Sequence, residues 1–291
     1  MTARIHDLGY RGYDGERLDE GAVARSLYVL GLRHAFGLGR SMKSRLLPLG
    51  LLAVSVLPAL VMVAITVFIK LDRLPMTYDR YADTMQTITA IFVAAQAPVL
   101  FSRDLRFRTL PLYLARPMRR STYVLTRLAS LFTAILIVVT LPVIVLWLGA
   151  LLGRLPWQAQ TTDMLKTLPL LVLLAALLAA IGGLLSSLTT RRGIAVVAIV
   201  ATLFVSSGVA NSIAAIAQSA DGSTPIQGVW AGALSPWTLV GGLGTWWFDF
   251  APNLAPPRDL ADGAVYLGVA ALVILGGTAL LLRRYAKVGS A

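Results

Sequence analysis

Six stretches of the chain stay apolar for about 20 residues or more, the length a helix needs to cross a ~30 Å hydrocarbon core. They cover roughly 46–69, 84–102, 122–152, 165–189, 194–217 and 263–282. The third, 31 residues long, would reach about 46 Å at 1.5 Å per residue, so it must tilt, kink at Pro142 or project past the lipid. In the fourth, Ala175, Ala179, Gly183 and Ser187 recur every four residues and form a smooth ridge for close helix contact. The fifth carries Ser207, Gly208, Asn211 and Ser212, a small and weakly polar face that also points to helix packing.

The segments between and before these runs have patterns of their own. Residues 1–18 are glycine-rich and charged, an irregular lead. From Glu20 onward Val23, Leu27 and Leu30 recur at i, i+4, i+7 while Arg25, Arg33 and Arg40 stay polar. This predicts an amphipathic helix, and the interfacial reading is favoured over a helix packed on a soluble partner because the first span follows directly. No h-region with a cleavage site precedes the first span, so that span is expected to act as the insertion signal. Residues 218–262 are neither a clean span nor a polar loop. Trp230, Trp237, Trp246 and Trp247 lie there among Pro225, Pro236, Pro252, Pro256 and Pro257. Such a segment either enters the outer interface and turns back, with Trp230, Ser235, Pro236 and Trp237 at that depth, or folds outside around an aromatic core. No internal repeat is evident. The expected organisation is a cytoplasmic lead and amphipathic interfacial helix over 1–45, then a six-helix transmembrane domain over 46–291.

Composition sharpens the picture. The chain of 291 residues is 57% hydrophobic and 14% charged, where soluble domains carry about 25% charge. With a mean hydropathy of +0.73, this is an all-α polytopic membrane protein. The absence of cysteine removes disulfide scaffolds, thiolate nucleophiles and Cys-ligated metals.

The net charge of +12 could serve nucleic acid or an anionic lipid surface, and the distribution decides. Twenty of the 26 Lys and Arg residues fall in 1–45, 103–127, 191–192 and 283–287, which six spans place on one side. The other six, Lys70, Arg73, Arg80, Arg154, Lys166 and Arg258, fall opposite. The positive-inside rule therefore predicts cytoplasmic N- and C-termini, and no nucleic-acid partner needs to be invoked.

Candidate chemistry is sparse. The histidines, His6 and His34, precede the first span; no HExxH occurs, and no aspartate lies mid-span. Serines lack a histidine at depth to activate them. The nearest approach to a phosphate loop, Gly37 to Ser44, has Met42 in place of the second glycine and no preceding strand. Catalysis, metal binding and cofactor binding on this chain are thus not expected. Ion-coupled carriage is disfavoured too, because span interiors offer only Gln96, Asn211 and scattered hydroxyls, candidates for substrate contacts or interhelical hydrogen bonds. Anything moved uphill must draw its energy from a partner.

The connection over 103–121 is the most informative stretch. Leu110, Tyr113 and Leu114 are set among cations, and Phe107 to Ala115 can form a short amphipathic helix that closes before Pro117. By composition alone it is equally a docking helix for a cytoplasmic partner or a basic loop lying on headgroups.

At this stretch the chain resembles the permease subunit of a type-two ATP-binding-cassette (ABC) exporter. Asp104, Thr109-Leu110, Leu112 to Leu114, Arg116-Pro117, Arg119-Arg120 and Tyr123 follow the order of that family's second cytoplasmic connection, and Ser235-Pro236-Trp237 recurs in the long fifth connection. Arg108 stands where a glycine is usual, and Asp104 stands alone where members often show two glutamates. The resemblance implies a plasma-membrane permease, in a bacterial inner membrane, that pairs with a second permease copy as a homodimer or related heterodimer. It implies two cytoplasmic ATPase subunits as partners, which carry the ATP and Mg. Asp104, Phe107, Thr109, Leu110, Leu112, Tyr113, Leu114 and Arg116 would form the ATPase-docking segment. The 218–262 segment would gate the outer side, and a hydrophobic or amphipathic substrate would move outward. The alternatives are a non-transporting membrane anchor or assembly factor, and a secondary transporter.

Overall fold

The computed structural model describes residues 15, 19–39, 41–107, 113, 118–221, 226–251 and 256–288. Every regular element among them is helical. Six helical stretches are long and apolar enough to cross a membrane: Met42–Ile69, Gln86–Arg106, Arg120–Leu152, Trp157–Leu188, Arg192–Ala217 and Leu260–Lys287. Helices suit that solvent because each satisfies its own backbone hydrogen bonds.

The spans are not equivalent. In the second, 72% of the most apolar window is buried, against 17% in the first and sixth, so the second lies at the centre and those two at the periphery. Small side chains explain how the centre closes. A Cβ on Gly182 of the fourth span would lie 2.8 Å from Val93 of the second, and one on Gly183 would lie 3.4 Å from the Phe101 ring. Ala175, Ala179 and Ser187 of the expected ridge are buried with them. The fifth span's weakly polar face divides: Ser207 is buried, Asn211 is half-buried, and Gly208 and Ser212 are exposed. The first span is drawn onto the third at Gly149, where an added Cβ would meet the Val63 side chain at 2.0 Å.

The long third span is not broken at its proline. Its helix runs unbroken through Pro142 from Arg120 to Leu152, about 50 Å at 1.5 Å per residue. The arginine-rich end is flanked by the lead helix, Glu20–Ala35. Asp19 caps that helix by accepting from the Ala22 N–H at 2.9 Å. Glu20 accepts from the Arg119 N–H and the Thr122 hydroxyl at 3.0 and 2.6 Å, the Tyr28 hydroxyl donates to Thr133 at 2.9 Å, and Ser130 donates to the Tyr28 carbonyl at 3.1 Å. The covered stripe consists of Val23, Leu27, Gly31 and Ala35. Leu30, expected to belong to it, is 37% exposed. A period of four places the stripe against a neighbouring helix of the same chain, and Gly31 is its closest point: a Cβ there would lie 2.5 Å from Ser130 Oγ.

A tight turn joins the lead helix to the first span. Gly37 adopts φ +69°, and any Cβ would strike the Ser44 carbonyl at 2.3 Å, so glycine is required. The imperfect phosphate-loop pattern is this turn.

After the fifth span the chain doubles back as two short helices, Ile226–Gly232 and Pro236–Phe248. Gly228 approaches Ala217 so closely that a Cβ would sit 2.8 Å away, and Ser235 Oγ meets Ser207 Oγ at 3.0 Å. The turn of this hairpin therefore lies about 15 Å back along the fifth span. The second helix returns against the fourth span, Gly244 facing Leu170, and the Tyr266 hydroxyl of the sixth span donates to the Val229 carbonyl at 2.7 Å. Trp237 and Ser235 are buried by this packing, Pro236 with them, while Trp230 is exposed. The sixth span contains a π-helical stretch, Leu272–Gly276. Its far end returns to the arginine-rich end, where Arg120 donates to the Ala286 carbonyl at 2.8 Å and Tyr285 to the Phe101 carbonyl at 3.2 Å.

Candidate partner-docking site

The root of the 103–121 connection is a buried ion pair. The second span's helix breaks at Phe101, and the one-turn helix Ser102–Arg106 carries Asp104 inward. Arg127 lies four residues after Tyr123 on the third span, so both side chains share one face. The Arg127 guanidinium donates to Asp104 Oδ2 at 2.7 Å, and the Tyr123 hydroxyl donates to the same oxygen. Arg127 is 2% exposed and Asp104 9%. The rings of Tyr113 and Tyr123 lie 5.6 and 5.5 Å from the guanidinium carbon, favourable cation–π distances. Tyr285 closes the group with its ring 5.9 Å from that of Tyr123.

A buried pair of this kind is a poor source of net stability, because desolvation offsets the Coulomb gain, and here Arg127 Nε has no hydrogen-bond partner. What the pair does supply is geometry. It joins the end of the second span to the third, and through the tyrosines it reaches the connection at Tyr113 and the sixth span at Tyr285.

The sequence-expected docking residues divide around this root. Asp104 faces inward and offers no outward surface. Phe107 is 63% exposed, with the Arg106 guanidinium 5.6 Å over its ring. Tyr113 is half-buried, and Arg127 donates to its hydroxyl at 3.4 Å. Thr109, Leu110, Leu112, Leu114 and Arg116 lie outside the described residues, and so does most of the expected helix Phe107 to Ala115. Arg127, Tyr285, Gly31 and Ser130 belong to the same assembly but were not singled out in the sequence. The available signal for Arg127 was a cation among apolar residues one turn past a tyrosine.

Electrostatics at this end follow from the packing. His34, half-buried on the lead helix, is held below the usual histidine range first by burial and then by Arg127 and Arg103, with Asp104 opposing. The hydrogen bond from Thr122 holds Glu20 below its ordinary value, helped by the Arg119 N–H.

The polar residues expected elsewhere do not join this site. Gln96 is buried at the centre of the second span and Asn211 is half-buried on the fifth. At the opposite end a cavity of about 520 Å³ is lined by groups of both signs, among them Arg73, Asp163, Lys166 and Asp249. Beside it the Tyr78 hydroxyl donates to Gln160 at 2.6 Å, and burial pushes its pKa up, with Asp163 adding to the shift. Among the described residues no three His, Asp or Glu side chains converge as a metal site. No protein-family model matches the chain, and no curated protein matches it.

Proposed function

We propose that this chain is the membrane-spanning subunit of an ABC exporter, a permease that moves a hydrophobic or amphipathic substrate outward on energy delivered by a separate ATPase. The observation that carries the reading is the Asp104–Arg127 pair at the root of the 103–121 connection. A partner that displaced this connection would pull on a charged anchor inside the protein, and the displacement would pass to the second, third and sixth spans together. A loop serving only to lie on headgroups has no need of a buried, directional anchor. The lead helix, bonded along the arginine-rich end of the third span, adds a second surface beside the first.

In this reading both termini are cytoplasmic in a plasma membrane, in keeping with twenty cations against six. The hairpin of Ile226–Gly232 and Pro236–Phe248 re-enters the outer leaflet beside the fifth span. Two permease copies and two ATPase subunits make the working unit. The test is co-expression and co-purification with candidate ABC ATPase subunits from the same source, and assay of ATP hydrolysis in vesicles. Hydrolysis is expected only when both chains are present, with sharp loss when Leu110→Asp is introduced. Transport by the purified chain alone under an ion gradient would overturn the reading. Binding of the ATPase without substrate-stimulated turnover would replace it with a membrane anchor.

A further inference from the structure

The arginine-rich end also holds a pocket that the buried anchor does not use. It has a volume of about 330 Å³, at the low end of the range for small-ligand sites, and lies where the second span ends and the fifth begins. Arg103, Arg106 and Arg192 line it together with Thr190 and Val99. No described acidic side chain forms an ion pair with any of the three arginines. Asp104, next to Arg103 in sequence, is turned the other way onto Arg127 and Tyr123. All three are exposed, and three positive charges lining one hollow make it attractive to an anion. Guanidinium favours phosphate oxygens, which it can meet through two parallel hydrogen bonds.

The position of the pocket narrows the anion further. Arg106 closes one long apolar helix and Arg192 opens another, so the hollow lies at the end of both, where the headgroups of a bilayer crossed by them would meet it. Just beyond Arg192 the fifth span presents Ile194 and Val197, 52% and 67% exposed, an apolar face along which acyl chains can lie. Basic pockets between membrane helices are suited to anionic headgroups. We propose that this pocket binds a phosphate diester, and that the phosphate belongs to an anionic phospholipid held by its headgroup against Arg103, Arg106 and Arg192. The proposal concerns the chain alone and does not depend on an ATPase partner.

The experiment uses the purified full chain in nanodiscs and in detergent, with phosphatidylglycerol, phosphatidylcholine and inorganic phosphate as separate probes. The variant is the triple Arg103→Gln/Arg106→Gln/Arg192→Gln, and the charge-matched control is Arg73→Gln/Arg80→Gln/Arg154→Gln at the opposite end. Retained lipid is read by native mass spectrometry, and thermal unfolding in phosphatidylcholine confirms that each variant is folded. The parent and the control are expected to retain phosphatidylglycerol about 100-fold better than the triple variant, one charge contributing roughly fivefold. Millimolar inorganic phosphate should not displace the lipid. Should the triple variant unfold, the single Arg192→Gln variant carries the same comparison at about fivefold. Equal retention by variant and parent, equal retention of phosphatidylcholine, or displacement by inorganic phosphate would each overturn the proposal, the last pointing to a free-anion site.

Discussion

Arg127 donates to Asp104 at 2.7 Å in a part of the bundle where the guanidinium is 2% exposed and its Nε finds no partner. Removing either partner strands a charge. Asp104→Asn or Arg127→Met should each lower stability by about 3–5 kcal/mol. Replacing both at once, Asp104→Leu with Arg127→Met, should recover much of that loss. Thermal unfolding in detergent over this double-mutant cycle measures the coupling. Independent, additive losses would show that the pair is not the anchor described above. If the anchor transmits force, the apolar double variant should fold well yet fail to couple ATP hydrolysis to transport.

Gly31 makes the closest contact between the lead helix and the third span. Gly31→Leu should push the lead helix away from Ser130, because even a Cβ would sit 2.5 Å from Ser130 Oγ. Limited proteolysis from the arginine-rich side should then cut within residues 20–35, which the parent protects. Unchanged protection would mean that the helix docks elsewhere.

Gly149 should tolerate nothing larger while Val63 is present. Gly149→Ala is expected to destabilise by about 1–3 kcal/mol through overpacking. Adding Val63→Ala in the same chain should restore part of it, because the two methyl groups at 2.0 and 2.5 Å are removed while the Val63 Cβ, 2.7 Å away, remains. A failure of the second change to rescue the first would remove this contact as the reason for the glycine.

His34 predicts a pH dependence. Its folded-state pKa is depressed by burial and by Arg127 and Arg103, so the unfolded chain binds the proton more readily. Stability conferred by the neutral ring is therefore present above the unfolded value of about 6.5 and is lost as pH falls from there through the folded value. Melting temperatures from pH 8 to pH 5 should decline on the acid side, and His34→Gln should flatten the decline. An unchanged slope in the variant would assign the effect to other groups.

The absence of cysteine permits a direct topology test. Arg25→Cys and Arg284→Cys should react with impermeant maleimide from the same side of sealed vesicles, while Ser235→Cys, 0% exposed in the parent, should react from neither. Opposite labelling of the two arginine sites would break the six-span arrangement.

The spans were legible in the sequence because apolar length alone defines a membrane-crossing helix, and their ends came within a few residues for most. The fourth starts at Trp157 rather than near 165, because its first two turns carry Gln158, Gln160 and Asp163 outside the apolar window. The ridge of Ala175, Ala179, Gly183 and Ser187 was readable for the same reason of simple period. The hydropathy pattern predicts the lead helix but places Leu30 rather than Gly31 on its stripe, because it gives no weight to a glycine whose value is the absence of a side chain. The sequence marks Asp104 as a position but not its inward direction, since that depends on the helix break at Phe101 and on Arg127 more than twenty residues away. Long-range pairing of this kind leaves no local periodicity to read.

The attachment of the lead helix to the third span also orders events during synthesis. Glu20 and Thr122 are 102 positions apart, so at about 5–20 residues per second the helix emerges roughly 5–20 s before its hydrogen-bonding partner exists. Throughout that interval the covered stripe lacks the third span, its main neighbour, and of its final surroundings only the second span, whose Phe92 meets Phe36 at 5.9 Å, has yet been made.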